Sequence, residues 1–198
     1  MPTGAKASKE VLRKLVEFGT KHNILIVNDN PYSFILNDEP TSILSIEGAK
    51  DICIELNSLS KTFNIAGWRV GMVIGKESLI NSILKVKSNM DSGMNFAIQK
   101  ASTKALLVDD SWYNELTKVY KERRKIIWQI ADLLNVKYNP NAVGMFIWAK
   151  LPESKKDDKL FIDKILYDKK IFITPGSIFG SNGEGFIRFS LCAPMEKL

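Results

Sequence analysis

Hydrophobic positions near the start of the chain change from helical spacing to a continuous run. The first stripe has the i, i+3, i+4 spacing of one buried helix face and consists of Val11, Leu12, Leu15 and Val16. Ser8, just before it, is a suitable N-cap for the predicted helix. Residues 24–27 then form an apolar run without alternation, which is typical of a strand covered on both faces in a parallel sheet.

The same alternation of strand and helix patterns continues through the first hundred residues. Further strands are predicted at 52–56 and 70–74, and further helices around 79–84 and 96–107. Alternating strands and helices favour an α/β layer built on a parallel-rich sheet. After residue 111 a long amphipathic helix is predicted at 112–134, followed by strands at 145–148, 171–173 and 186–190 and a helix at 160–166. This order predicts a second, smaller α+β domain.

Composition narrows the possible functions only a little. The chain has 198 residues, of which 45% are hydrophobic and 25% charged, with a net charge of +6. Its lysines are dispersed, which indicates a solvated surface rather than a nucleic-acid or membrane patch. No signal peptide and no membrane-spanning run is evident, and neither cysteine has a C-x-x-C partner. We therefore expect a soluble, cytoplasmic protein.

A polar turn around Lys61 carries the most informative chemistry. Ser58 and Ser60 supply hydroxyls, Lys61 an amine and Arg69 a guanidinium within twelve residues of a predicted strand end. This set suits a cofactor with both an aldehyde and a phosphate, because a lysine forms Schiff bases and an arginine grips phosphate with two hydrogen bonds. Taken one by one, a solvated lysine and a surface arginine explain the same residues equally well.

A second polar loop follows the first predicted strand. Asp29 and Tyr32 lie in the sequence Asp-Asn-Pro-Tyr, and ligands of open parallel sheets bind beyond the carboxyl ends of the strands. The alternative is a simple turn, since Asp, Asn and Pro favour turns on their own account. His22 is the single histidine, so a multi-histidine metal site is excluded, and we predict no metal site.

Taken together and in order, these motifs resemble the class I and II aminotransferases, which are pyridoxal-phosphate enzymes of fold type I. The resemblance runs through nearly the whole chain and corresponds to the C-terminal half of the family. It rests on Pro2-Thr3-Gly4, Asp29-x-x-Tyr32, Ser58-x-Ser60-Lys61 with Gly67-x-Arg69-x-Gly71, and Thr174-Pro175-Gly176-Ser177 through Phe179-Gly180 with Ile187-Arg188-Phe189-Ser190.

The resemblance implies a role for each side chain around the cofactor ring. Lys61 would form the Schiff base with pyridoxal 5'-phosphate and then move a proton between the substrate and the cofactor. Asp29 would pair with the pyridine nitrogen and keep it protonated. Tyr32 would donate a hydrogen bond to the ring oxygen.

The resemblance also implies two anion sites. Ser58 and Arg69 would hold the cofactor phosphate, with Ser60 a weaker candidate for the same task. Arg188 would bind the α-carboxylate of the substrate with its planar guanidinium.

The resemblance further implies how the chain is divided. Residues 1–110 would be the C-terminal portion of the large cofactor-binding domain, truncated at its N-terminal side, and 111–198 the small α+β domain without its last helix. The family's asparagine before Pro2 is replaced by Met1, and the family's phosphate-binding loop is not among these residues. We expect the isolated chain to expose apolar surface, bind cofactor weakly and transaminate negligibly.

The function implied by the resemblance is transfer of an α-amino group between an amino acid and a 2-oxo acid. The full-length protein would be a homodimer with no nucleic-acid or membrane partner. Two alternatives remain open from the residues alone. One is a pyridoxal-phosphate lyase of the same fold that eliminates a carbon–sulfur or other bond, and the other is a non-catalytic fragment or regulator domain.

Overall fold

The computed structural model describes residues 1–198 as two compact units. One unit comprises residues 7–114, and the other comprises residues 1–6 together with 115–198. The first residues belong with the C-terminal unit because the Val143 N–H donates to the Gly4 carbonyl at 2.9 Å. The assignment of residues 1–110 and 111–198 to a large and a small domain stays a prediction.

The first unit has an α/β arrangement, as predicted. Its strands form one sheet in the order β1-β2-β3, in which β2 runs parallel to β1 and antiparallel to β3. The strands are β1 Ile26–Asp29, β2 Cys53–Ser58 and β3 Gly71–Gly75. The helices are α1 Lys9–His22, α2 Ala49–Ile52, α3 Leu59–Thr62, α4 Glu77–Met90 and α5 Phe96–Ala105. A longer helix, α6 Asp110–Leu133, begins in this unit and continues into the other.

Local sequence signals set both ends of α1. The Ser8 side chain accepts a hydrogen bond from the Val11 N–H at 3.2 Å, which confirms the predicted N-cap. The helix ends at His22. The left-handed backbone of Asn23 then turns the chain so that the Ile24 N–H donates to the Gly19 carbonyl at 2.8 Å. The buried face is narrower than the hydrophobic stripe predicted, since Val11 and Leu15 are 49% and 41% exposed.

One face of the three-stranded sheet is covered by a hydrophobic core. This core consists of Leu12, Val16, Ile43, Ala49 and Cys53, with Ile26 packed against it. The expectation that residues 24–27 are covered on both faces is wrong, because Ile24, Leu25 and Val27 are 43%, 47% and 53% exposed. Elements of this chain cover the Ile26 side of β1 and leave the Val27 side largely uncovered.

The second unit contains an antiparallel sheet in the order β4-β5-β7-β6. Its strands are β4 Lys137–Tyr138, β5 Phe146–Lys150, β6 Thr174–Pro175 and β7 Phe186–Ser190, and its helix is α7 Asp158–Lys169. The prediction of a strand at 171–173 is wrong, because Ile171 and Phe172 are exposed and pairing with β7 starts only at Thr174. No helix of either unit is long and apolar enough to cross a membrane.

Candidate functional site

The two polar loops predicted from the sequence leave the sheet at the same edge. Strand β1 ends at Asp29 and strand β2 ends at Ser58, and the two strands are parallel neighbours with Asp29 opposite Leu56. Opposed residues point to the same face of a sheet, and neighbours along a strand point to opposite faces. Asp29 therefore lies on the face of Val27 and Leu56, opposite the hydrophobic core. Its carboxylate is exposed.

Lys61 lies in α3, immediately after β2. The Ser58 hydroxyl caps this short helix by accepting a hydrogen bond from the Ser60 N–H at 3.1 Å. The same hydroxyl donates to the Val70 carbonyl at 3.3 Å, which ties the start of the turn to its end. Lys61 is half-buried, and its Nζ atom lies 6.0 Å from the centroid of the Tyr32 ring. The structure thus brings together one predicted residue from each loop.

Arg69 closes the lysine turn in an unusual backbone conformation. Its φ of 56° is left-handed, a region that residues other than glycine rarely occupy and that is often found at functional sites. Its Nη1 atom donates to the Ala66 carbonyl at 2.9 Å, and the side chain is otherwise exposed. Ser58 pairs with Gly71, so Arg69 lies two residues before the strand partner of the capping serine. Ser60 is buried and takes part through its backbone N–H.

An aromatic pair at the start of α6 supports both loops, and sequence reasoning missed its role. The Tyr113 ring packs against Phe34 with centroids 5.5 Å apart and against Phe63 with centroids 6.2 Å apart. The Trp112 indole N–H donates to the Thr62 carbonyl at 2.8 Å. Phe34 follows Tyr32 closely, and Thr62 is adjacent to Lys61. Two adjacent aromatics at a helix start were the available signal, but their partners Thr62, Phe63 and Phe34 lie about fifty to eighty residues away along the chain.

Arg188 belongs to the second unit and is held between two aromatic rings. It lies in β7 with Trp148 and Thr174 as its strand neighbours. Its guanidinium carbon lies 4.2 Å from the centroid of Phe146 and 4.6 Å from that of Phe179. Contacts of this kind hold a guanidinium in a defined plane and, unlike an ion pair with a carboxylate, do not neutralise its charge.

The turn that precedes β7 is fixed by a buried carboxylate and a close backbone approach. Asp158 is 4% exposed and accepts a hydrogen bond from the Ser177 N–H at 2.8 Å. Burial by itself would raise the pKa of Asp158, but the N–H groups of Ser177 and Gly185 outweigh it and lower that pKa. A Cβ atom on Gly176 would lie 2.2 Å from the Gly183 carbonyl oxygen, so only glycine fits there.

The sequence matches the family model described as aminotransferase class I and II over residues 1–198. Curated relatives include the LL-diaminopimelate aminotransferases of Maridesulfovibrio salexigens, at 40% identity, and of Aquifex aeolicus, at 38% identity. Each alignment covers 100% of this chain and 51% of the relative. The chain thus spans about half the length of these curated relatives.

Solved structures that are similar to this chain are also matched over about half of their length. BacF from Bacillus subtilis in its apo form is 34% identical, with a TM-score of 0.91 over 98% of this chain and 50% of that one. A probable N-succinyldiaminopimelate aminotransferase from Thermus thermophilus is 30% identical, with a TM-score of 0.91 over 99% of this chain and 53% of that one. The chain belongs to the class I and II aminotransferase family.

Proposed function

We propose that the protein carrying this chain is a pyridoxal-phosphate-dependent aminotransferase. It would transfer an α-amino group between an amino acid and a 2-oxo acid. The observation that carries the proposal is the position of the Lys61 amine, 6.0 Å from the Tyr32 ring at the edge where two parallel strands end. Membership of the family supports it, because every motif of the resemblance lies within the matched residues.

The side chains at this edge match the chemical groups of pyridoxal phosphate. An amine suits its aldehyde, the Asp29 carboxylate suits its pyridine nitrogen, and the Tyr32 phenol suits its ring oxygen. The Ser58 hydroxyl and the Arg69 guanidinium suit its phosphate. To donate to it, the hydroxyl must turn its proton from the Val70 carbonyl, and Arg69 must turn from the Ala66 carbonyl to use both nitrogens. When bound, the cofactor supplies an aldehyde that captures amino groups and a ring that accepts electrons.

Each residue then has a defined task in the proposed reaction. The Lys61 Nζ atom would carry a proton from the α-carbon of the amino donor to the cofactor carbon that bears the aldehyde. Asp29 holds a proton on the ring nitrogen, and Tyr32 donates to the ring oxygen. Arg188 binds the α-carboxylate, and its aromatic neighbours keep the guanidinium in one plane.

We propose LL-diaminopimelate as the first amino donor to test. The curated relatives that cover the whole chain carry the name LL-diaminopimelate aminotransferase. A 2-oxo acid would be the acceptor. We further propose that the full-length protein is a cytoplasmic homodimer without nucleic-acid or membrane partners.

Replacing Lys61 tests the proposed function. In the full-length protein, Lys61→Ala should abolish the visible absorbance of bound pyridoxal phosphate. It should also lower the rate of amino transfer from LL-diaminopimelate to a panel of 2-oxo acids by about a thousandfold or more, because an acid–base group is lost. Lys50→Ala, an exposed lysine in α2, is the matched control and should leave both unchanged.

Two results would overturn the proposal. One is normal turnover in the Lys61→Ala protein. The other is release of ammonia and a 2-oxo acid, without any acceptor, from an amino acid that carries a leaving group on its β- or γ-carbon, such as a cysteine thioether, which is the product pattern of an eliminating lyase.

A further inference from the structure

Glu55 is a buried carboxylate in the middle of β2 that none of the proposed chemistry uses. It is 4% exposed, and charged side chains are rarely buried to this extent without partners. Its strand partners are Asn28 in β1 and Ile74 in β3. Glu55 therefore lies on the core side of the sheet, and Asp29 lies on the other side.

Four donors surround the two carboxylate oxygens of Glu55. The Oε2 atom accepts from the Asn28 Nδ2 atom at 3.1 Å, the Ser42 hydroxyl at 2.7 Å and the Ile43 N–H at 3.0 Å. The Oε1 atom accepts from the Asn30 Nδ2 atom at 3.4 Å. The Ser42 hydroxyl accepts from the Leu44 N–H through a lone pair of its oxygen, so its proton remains available for Glu55. A carboxylate is the side chain that meets this set, since both of its oxygens accept.

These bonds hold the residues on either side of Asp29. Asn28 and Asn30 are its neighbours along the chain, and both amides are fixed from the core side of the sheet. The Asn30 N–H also donates to the Leu56 carbonyl at 2.9 Å, which continues the pairing of β1 with β2 past the strand end. With both neighbours fixed, the Asp29 side chain is directed to the opposite face.

The same carboxylate closes the loop that carries Tyr32. The loop leaves β1 at Asn30 and returns at Ser42 and Ile43, and Glu55 binds all three residues. The Asn30 amide also donates to the Thr41 carbonyl at 3.4 Å, so the two ends of the loop meet beside Glu55. A single buried group thus anchors both ends of this segment.

We propose that Glu55 is a positioning residue that holds Asp29 and the Tyr32 loop in place for the cofactor. It lies on the core side of the sheet, opposite the face that carries Asp29, and touches neither cofactor nor substrate. The proposal rests on the proposed function for its effect on pyridoxal phosphate. Its effect on the loop is independent of any ligand.

The test is Glu55→Gln in the full-length protein. The amide has nearly the same shape, but its NH₂ group faces donors whichever way it is turned, so at least one bond is lost. Glu47→Gln, an exposed glutamate, is the matched control for the lost charge. Ser42→Ala removes the shortest of the four bonds and serves as a milder second variant if Glu55→Gln does not fold.

Two measurements decide the outcome. Without cofactor, amide hydrogen exchange over residues 28–43 should be about tenfold faster in Glu55→Gln, while residues 146–190 and the Glu47→Gln control are unchanged. Dissociation of pyridoxal phosphate, followed by absorbance, should show binding about tenfold weaker in Glu55→Gln. In a background that carries both Asp29→Asn and Tyr32→Phe, the same change should weaken binding by less than about threefold, because Glu55 acts through these two residues.

Unchanged exchange over residues 28–43 would overturn the anchoring role of Glu55. An undiminished effect of about tenfold in the Asp29→Asn, Tyr32→Phe background would overturn its action through these two residues. If the unmodified protein bound no pyridoxal phosphate, the proposed function would fail instead, and the exchange result would still decide whether Glu55 holds the loop.

Discussion

At the scale of single residues, the chemistry of each candidate group follows from the short segment that holds it. Lys61 is placed by the cap of a four-residue helix, and Arg69 by a left-handed turn. Asp29 is placed by the last position of a strand. These are local features, and the sequence predicted the positions because polar residues follow apolar runs there. The roles of these side chains stay a proposal.

Glu55 shows what a local pattern does not contain. In the sequence it is one charged residue within an apolar run, and nothing nearby indicates what it binds. Its donors come from three other segments: the end of β1, the residue after it, and the loop that returns at Ser42. Only the folded structure brings these together, so the pattern of hydrophobic positions predicted the strand and not the anchor.

A prediction at this scale concerns the buried carboxylate of Asp158. Its pKa is lower in the folded protein than in the unfolded chain. It therefore contributes stability above the unfolded value of about 3.9, and this stability is lost as the pH falls through the folded value. At pH 7, Asp158→Asn should lower the free energy of unfolding by about 1–3 kcal/mol.

Thermal melting followed by circular dichroism between pH 7 and pH 3 checks this prediction. The difference between Asp158→Asn and the unmodified protein should begin to shrink below about pH 4, where Asp158 of the unfolded chain takes up a proton, and should shrink further as the pH falls towards the lowered pKa of the folded protein. Asp163→Asn, at an exposed position of α7, is the control and should melt like the unmodified protein at every pH. A difference that stays constant down to pH 3 would mean that the charge of Asp158 is not what stabilises the turn.

At the scale of elements, hydrophobic runs predicted which elements exist better than where they pair. Strand β7 was predicted at its observed bounds. The apolar run at 171–173 predicts a strand, yet pairing begins after it at Thr174. Strand β4 has only two residues, Lys137–Tyr138, and offers no apolar run to recognise. Pairing depends on partners far along the chain, and a run of apolar residues does not encode them.

A prediction at this scale compares two glycines of the family motifs. A methyl group at Gly176 would meet backbone atoms, the carbonyl oxygens of Gly183 at 2.2 Å and Phe186 at 2.7 Å. Backbone atoms cannot move aside as a flexible side chain can, so Gly176→Ala should cost about 3 kcal/mol of stability. At Gly67 nothing lies within 4 Å of the added atom, and Gly67→Ala should change stability by no more than about 0.5 kcal/mol.

Urea unfolding of both variants, followed by tryptophan fluorescence, measures the contrast. We expect a clear loss of stability in Gly176→Ala and none in Gly67→Ala. Equal stability of the two variants would show that the turn before β7 relaxes around an added methyl group.

At the scale of the whole molecule, the family could be inferred from the sequence because its motifs lie in order along the chain. The sequence did not indicate how much of the sheet surface this chain covers. Val27 and Val73, on the face that carries Asp29, are 53% and 39% exposed, and Trp68 beside Arg69 is 46% exposed. The chain spans about half the length of its curated relatives. We therefore expect the 198-residue polypeptide alone to bind pyridoxal phosphate weakly.

Trapping pyridoxal phosphate chemically on lysine tests whether Lys61 is the residue that binds its aldehyde. The full-length protein is incubated with pyridoxal phosphate and reduced with borohydride, and the labelled peptides are mapped by mass spectrometry. The label should concentrate on Lys61 well above the exposed lysines, and it should fall sharply in Asp29→Asn, whose lysine is intact. Label spread evenly over the exposed lysines, with Lys61 no more modified than Lys50, would contradict the assignment of this site.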